Sequence, residues 1–321
     1  MFAVSVHSFS ETSPLDGLVV GQVETTAPPE GWTRVTVRAV SINHHDLWSL
    51  RGVGLSAEAL PMVLGCDASG VTDDGREVIV HAVVSSPDWS GDETLDPRRS
   101  LLSERHPGTM ADEVWVPARN LVDKPSELSF AQAACLPTAW LTAYRMLFTK
   151  AELVAGQTVL VQGAGGGVAS ACILLGRAAG LRVWVTSRDE RRRQRAVELG
   201  ADAAFEPGAR LPERVDAVID SVGQATWAHS LKSLRPGGVV VTCGATSGPN
   251  PPADLNRVFF LQLRVLGSTM GTRDELERLT RFLVTTGLRP IIDRELPMAE
   301  AAEGFRAVEA GEVFGKVVLT R

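Results

Sequence analysis

The chemistry begins at Gly163-Ala-Gly-Gly-Gly-Val-Ala169, which follows directly on the apolar run Thr158-Val-Leu-Val-Gln162. A helical pattern comes next, with Val168, Cys172, Leu175 and Ala179 near one side. A buried strand, a tight glycine turn and a helix whose first N–H groups face outward together bind a pyrophosphate. Gly163 permits the turn, Gly166 lets phosphates approach the backbone, and small Ala169 lets the helix sit close on the sheet. The backbone of Gly165, Gly167 and Val168 completes the cradle. Glycine clusters are common in loops, so the weight of this reading rests on its context.

That context is a second strand, 182–187, about one βαβ unit downstream. An acid at the end of such a strand hydrogen-bonds the ribose 2′-hydroxyl of NAD. Ser187 stands there instead, followed by Arg188, Arg191, Arg192 and Arg193. A hydroxyl beside guanidiniums suits a 2′-phosphate, because arginine offers a fork of charged donors. The expected cofactor is therefore NADPH, with Ser187, Arg188 and Arg192 as its contacts. The plainer alternative is a solvated basic helix start capped by Asp189 and Glu190.

These residues need a scaffold, and 321 residues suffice for two domains. Short alternating strands (17–23, 32–42, 77–84 and 111–116) predict an antiparallel, barrel-like domain over the first part of the chain. The polar stretch 85–109 reads as a long surface loop. Helical spacing runs over 130–150. Strands and helices then alternate, with strands expected at 158–162, 182–187, 203–205, 217–221, 239–243 and 263–267, the pattern of a doubly wound parallel sheet. The tail, 291–321, ends in a strand that returns to the first domain. The expected domains are 1–125 and 126–288, with 289–321 rejoining the first.

Composition narrows the function classes. The chain is 44% apolar and 22% charged, with a net charge of −6, which argues against a general nucleic-acid binder. No apolar run approaches membrane-spanning length, and the N-terminus lacks the pattern of a signal peptide, so a cytoplasmic protein acting on a small molecule is expected. The cysteines Cys66, Cys135, Cys172 and Cys243 are scattered and form no Cys-x-x-Cys pair, so neither a disulfide framework nor a structural zinc lobe is signalled.

Taken in order, a set of short motifs resembles the medium-chain dehydrogenase/reductase superfamily, and within it the zinc-independent, quinone-oxidoreductase-like branch. They are Asn43-His44-His45-Asp46, Leu64-Gly65-Cys66-Asp67-Ala68-Ser69-Gly70, Pro107-Gly108-Thr109-Met110-Ala111-Asp112 and Leu136-Pro137-Thr138-Ala139-Trp140 with the residues to Tyr144. The glycine turn, Leu199-Gly200-Ala201-Asp202, Asp220-Ser221-Val222-Gly223, Pro236-Gly237-Gly238 and Gly315-Lys316-Val317-Val318-Leu319 complete the set. The resemblance runs nearly end to end. It implies an α/β protein in which a Rossmann doubly wound parallel sheet is inserted in a GroES-like antiparallel β-barrel catalytic domain.

Zinc-dependent members hold their catalytic metal with a Cys, a His and a second Cys. Judged by the flanking motifs, those positions are Asn43, Cys66 and Thr138 here. Asn and Thr are poor zinc ligands, so no catalytic metal is expected, and 85–105 carries no cysteine for a structural zinc. Hydride transfer from NADPH to a quinone or an α,β-unsaturated carbonyl needs no Lewis acid, because hydrogen-bond donors can hold the charge that arrives on oxygen. Asn43 and Thr138 are the candidates for such donors or for orienting the nicotinamide ribose. By the same resemblance Val222, Gly244, Ala245, Ser268, Thr269, Met270 and Lys316 approach the cofactor, and 259–266 forms a subunit contact in a homodimer or tetramer. Two alternatives stay open: a zinc-dependent alcohol dehydrogenase with atypical ligands, and an inactive NADPH-binding sensor.

Overall fold

The computed structural model of the protein describes residues 1–24 and 27–321. They form two compact units, Met1–Leu141 with Met270–Arg321, and Thr142–Thr269.

In the first unit, strand Trp32–Ser41 is the hub of a mainly antiparallel sheet, with one parallel pair at its edge between Ile292–Pro297 and Lys316–Thr320. It pairs with Ala68–Thr72 and Glu113–Pro117, and the returning strand Lys316–Thr320 joins it antiparallel, with Leu319 opposite Val40. The returning strand is apolar and buried on both faces: Val317, Val318 and Leu319 are all fully buried. Val35, Val37, Val40, Leu64, Val78, Val80 and Phe305 fill the core that this sheet encloses.

The 85–109 segment departs from the expected surface loop. Strand Ser100–Leu101 pairs with Val83–Val84, and the segment winds around Asp96, which is fully buried. Asp96 accepts the backbone N–H and the hydroxyl of Ser86 at 2.6 and 2.7 Å, and the backbone N–H of Arg98 at 2.8 Å. A carboxylate at the centre of a loop satisfies donors that a polar composition alone leaves unassigned. The 130–150 helix is also more broken than its spacing implies. Ser129 and Gln132 form a capping box over Phe130–Ala134, and wide π-type turns then occupy Leu136–Trp140 and Arg145–Lys150. Pro137 lies in the first of them and brings no N–H to an α-helical ladder.

The second unit carries the parallel sheet. Across it the strands run Ala203–Phe205, Arg182–Thr186, Thr158–Gln162, Val215–Asp220, Leu234–Thr242 and Arg264–Gly267. Read in chain order this is the 3-2-1-4-5-6 sequence of a dinucleotide-binding sheet, whose ligand crevice opens at the carboxyl ends on either side of the first strand. Thr158–Gln162 is buried at every position. Helix Gly167–Ala178 packs beside it, with Ala169 buried, and at Gly176 a Cβ would fall 2.8 Å from Val183 Cγ2 of the neighbouring strand. Among the described residues no helix is long and apolar enough to cross a membrane.

Candidate functional site

In the second unit the site is built from backbone. Gly163 adopts φ +106°, a region closed to residues with a Cβ, and so turns the chain off its strand. Nothing lies within 4 Å of where a Cβ would stand at Gly163 or Gly166. Gly166 caps helix Gly167–Ala178 in an extended conformation with no side-chain cap, leaving the N–H groups of its first turn for a ligand. Gly165, Gly167 and Val168 lie in the same turn. An open, uncapped N-terminus fits a pyrophosphate.

The next strand, Arg182–Thr186, ends one residue short of the expected 187. Ser187 hydrogen-bonds its backbone N–H to Phe205 O, and its hydroxyl accepts from Asp189 N at 3.2 Å. Asp189 caps helix Glu190–Leu199 through Arg192 N at 3.1 Å. The arginines divide by role. Arg193 reaches back to the carbonyls of Ser187 and Arg188 and so clamps the strand end. Arg192 lies over the glycine turn, its Cδ and Nη1 both 3.2 Å from a Cβ built on Gly165. Arg188 is exposed.

The remaining strand ends show how the turns are held. Asp220 Oδ1 accepts from the N–H groups of Val222 and Gly223 at 2.9 Å each, and Ser230 Oγ donates to Asp220 Oδ2 at 2.7 Å. Gly244 and Ala245 follow the fifth strand, and a Cβ on Gly244 would fall 3.2 Å from Ser221 O. Ser268 follows the sixth. Its N–H donates to Thr242 O, while its buried hydroxyl has no partner among the described residues. An orphaned buried hydroxyl at a strand end is a group awaiting a ligand. Thr269 is exposed. Burial and the nearby Asp220 push the Cys243 thiol up to about 12, which disfavours the thiolate form.

In the first unit the site is built from side chains. Asp67 is fully buried and Lys316 nearly so, with Nζ 3.5 Å from Asp67 Oδ2. Lys316 also donates to Ile42 O at 2.8 Å and to Asn43 Oδ1. The Asn43 amide donates to Asp67 Oδ2 at 2.8 Å and to Ser41 O at 3.3 Å, and Ser41 Oγ donates to the same carboxylate oxygen. Asn43 N donates to Asp46 Oδ2 at 2.8 Å, and Gly65 N to Asp46 Oδ1 at 3.1 Å. Burial pushes the Asp46 carboxyl up to about 6, with nearby His45 and the Asn43 N–H opposing it. Asn43 therefore has both amide hydrogens engaged within this cluster, an arrangement suited to orienting. Met270, also in this unit, takes φ +48° with its side chain in the core.

Two buried oxygens here have no hydrogen-bond partner among the described residues, Thr138 Oγ1 and Asp67 Oδ1. Thr138 lies in the wide turn Leu136–Trp140. Ser41 and Glu104 are site residues that sequence reading did not single out, while His45, Asp46 and Asp67 lie in the motifs that carried the resemblance. Only Asp46 carried a local signal, at the third position after Asn43, where a helix cap is reciprocated. The donor set does not fit a zinc ion. Asn43 is engaged with Asp67 and Lys316, and the described residues contain no group of three His, Cys, Asp or Glu that could hold a metal.

Comparison with known proteins agrees with this architecture. Residues 29–126 match the alcohol dehydrogenase GroES-like domain, and residues 167–285 match the zinc-binding dehydrogenase domain. A solved structure described as an NAD-dependent alcohol dehydrogenase is 34% identical, covers all of both chains and superposes with a TM-score of 0.91. Acryloyl-coenzyme A reductase of Metallosphaera sedula is 28% identical over 95% of this chain and 96% of its own. A 2-octenoyl-CoA carboxylase reductase, solved with NADP and 2-octenoyl-CoA, is 25% identical over 99% of this chain and 87% of its own, with a TM-score of 0.92. The chain belongs to the medium-chain dehydrogenase/reductase superfamily. It is an oxidoreductase with a GroES-like domain and a Rossmann domain.

Proposed function

We propose that this protein is an NADPH-dependent reductase that adds hydride to a conjugated acceptor, an α,β-unsaturated carbonyl compound or a quinone, without a catalytic metal. The observation that carries the reading is the engagement of Asn43 with Asp67 and Lys316, in a site without a metal-ligand set. A site lacking a Lewis acid favours acceptors whose own conjugation moves the arriving charge to oxygen. Two of the relatives reported above reduce or bind conjugated thioesters, and one is solved with NADP. NADPH is the cofactor. When bound, it supplies the hydride.

The chain's own residues have separable tasks. The open turn at Gly163 and Gly166 and the uncapped helix receive the pyrophosphate. Ser187, Arg188 and Arg192 receive the 2′-phosphate, and Arg193 holds that strand end in shape. Val222, Gly244, Ala245, Ser268, Thr269 and Met270 approach the nicotinamide and its ribose, with the Ser268 hydroxyl as the available polar group. Asn43, held by Lys316 and Asp67, orients. The Thr138 hydroxyl, which has its hydrogen unassigned, donates to the oxygen on which charge develops.

The decisive experiment is stopped-flow oxidation of NADPH by chelator-treated protein with one enal and one quinone. Turnover of either acceptor, undiminished by chelation and reduced about a hundredfold in Thr138→Val, is the expected result. Turnover only after zinc is restored would replace this reading with a metal-dependent one. Tight NADPH binding with no turnover of any conjugated acceptor would point to a nucleotide sensor.

We also propose a homodimer. Strand Arg264–Gly267 is the sheet's edge, and Leu255, Phe259, Phe260 and Val265 beside it are 45–78% exposed. An unpaired edge flanked by exposed aromatics is suited to pairing with a second copy. Sedimentation as a monomer at micromolar concentration would remove this assignment.

A further inference from the structure

All four cysteines are unpaired, and three of them sit in surroundings that disfavour a thiolate. Burial pushes the thiols of Cys135 and Cys243 up to about 12, and that of Cys172 upward too. Cys66 sits among polar groups. Its Sγ is 3.5 Å from His45 Nδ1, 3.3 Å from Leu102 O and 3.6 Å from Ser103 Oγ.

The far side of His45 decides what its near side can do. His45 Nε2 lies 3.0 Å from Glu104 Oε1. An ionised carboxylate only accepts, so Nε2 carries the ring proton and the Nδ1 lone pair faces the sulfur. A nucleophile, a base within reach of it and a third group that fixes the base's tautomer make up an activated-nucleophile arrangement. The cluster is assembled from the helix His44–Leu50, the turn at Cys66 and the segment beyond Ser100–Leu101. The sulfur is buried, while the His45 and Glu104 side chains keep 24% and 25% of their surface, so the solvent-facing edge of the cluster is the base and its orienting acid.

We propose that Cys66 is a nucleophilic thiol that captures soft carbon electrophiles, with His45 as its base and Glu104 positioning His45. With a conjugated carbonyl compound, the Cys66 Sγ proton passes to His45 Nδ1. The sulfur then forms a bond to the β-carbon as the carbon–carbon π bond opens, and His45 returns the proton to the α-carbon. No electron is gained or lost and no co-reactant is needed. These residues all belong to the Met1–Leu141 part of the first unit, and the proposal stands or falls independently of hydride transfer.

The test is alkylation of the full chain by iodoacetamide between pH 5 and 9, followed by peptide mapping, with no nucleotide present. Cys66 is expected to be modified first, roughly tenfold faster than Cys243 at pH 6, and to form the addition product with an enal. Glu104→Gln and His45→Gln should each move the Cys66 rate profile toward that of an ordinary thiol while thermal unfolding still shows a folded protein. Labelling of Cys243 with Cys66 untouched in the folded chain would overturn the proposal. So would an identical pH profile in the wild type and both variants. Stoichiometric zinc in the purified protein, with Cys66 labelled only after chelation, would instead make this thiol a metal ligand.

Discussion

The two units make their sites from different materials. In Thr142–Thr269 the candidate site is made of backbone: an uncapped helix terminus, a glycine at φ +106° and turns held by Asp220. In the other unit the site is a web of side chains in which Asp67 Oδ2, Lys316, Asn43 and Ser41 pair with one another and Asp46 holds the backbone of Asn43, while Asp67 Oδ1 has no partner among the described residues. A backbone site depends on conformation and open space, so single substitutions there act on ligand affinity. A buried polar web depends on mutual satisfaction, so removing one member acts on the fold first.

The largest effect is expected at the ion pair. Asp67→Ala leaves the Lys316 ammonium buried with Ile42 O and Asn43 Oδ1 as its remaining acceptors. Breaking one side of a buried pair costs about 3–5 kcal/mol, read as a lower midpoint in urea denaturation. The double variant Asp67→Asn with Lys316→Met removes both charges and should recover more than half of that loss. A loss under about 1 kcal/mol for Asp67→Ala would mean that the pair behaves as if solvated, and the contrast between the units would collapse.

Asp46 sharpens the same contrast through pH. Its carboxyl is raised from 3.8 to about 6 chiefly by burial, so between those values the folded state binds the proton more tightly than the unfolded chain. The resulting stabilisation is complete below about pH 4 and is lost as pH rises through about 6. A shift of this size corresponds to about 2–3 kcal/mol. Asp46→Asn cannot ionise, so the stability gap between wild type and variant should shift in the variant's favour between pH 4.5 and 7. It keeps one carbonyl oxygen for the N–H groups of Asn43 and Gly65, a deficit that is the same at both pH values. Parallel stability curves would rule out a raised carboxyl at this position.

The same difference in material explains what could be read from the residues in advance. Glycines announce a backbone site because their positions are set by local conformation, and the strand order followed from a run of buried strands each followed by a helical pattern. Ser187 and Arg192 are proposed for the same local reason, lying at the end of one strand and the start of the next helix. The side-chain web joins residues 41–46, 66–67 and 316, and the Cys66 cluster adds 104, far apart along the chain. No periodicity links them, since their contacts are made by strand pairing and the returning tail. Asp96 illustrates the limit again: a polar stretch looked like a surface loop because composition does not show which acid will be enclosed.

On the backbone side, Gly163→Val should leave the first unit's web intact and weaken NADPH. A branched side chain at φ +106° carries strain of about 1–3 kcal/mol, and its Cβ enters the space left open for the phosphates. A rise in the dissociation constant of about thirtyfold is expected by fluorescence titration, with little change in the urea midpoint of the first unit. Unchanged affinity would show that the turn tolerates a side chain and that the cradle lies elsewhere.

The smallest effect tests which arginine reads the 2′-phosphate. Arg192 lies against Gly165 and Arg193 is committed to the carbonyls of Ser187 and Arg188, so their removal should differ in kind. A charge-assisted hydrogen bond contributes about 1.5–3 kcal/mol, and Arg192→Ala should lower affinity for NADPH about tenfold while leaving NADH nearly unchanged. Arg193→Ala loosens the strand end and should weaken both nucleotides by similar, smaller factors. Ser187→Asp places an acid where it can accept from a ribose hydroxyl and repel a phosphate, and should reverse the preference toward NADH. Equal losses for both nucleotides in Arg192→Ala would assign that residue to the pyrophosphate, which both cofactors share, and leave Ser187 and Arg188 to distinguish them.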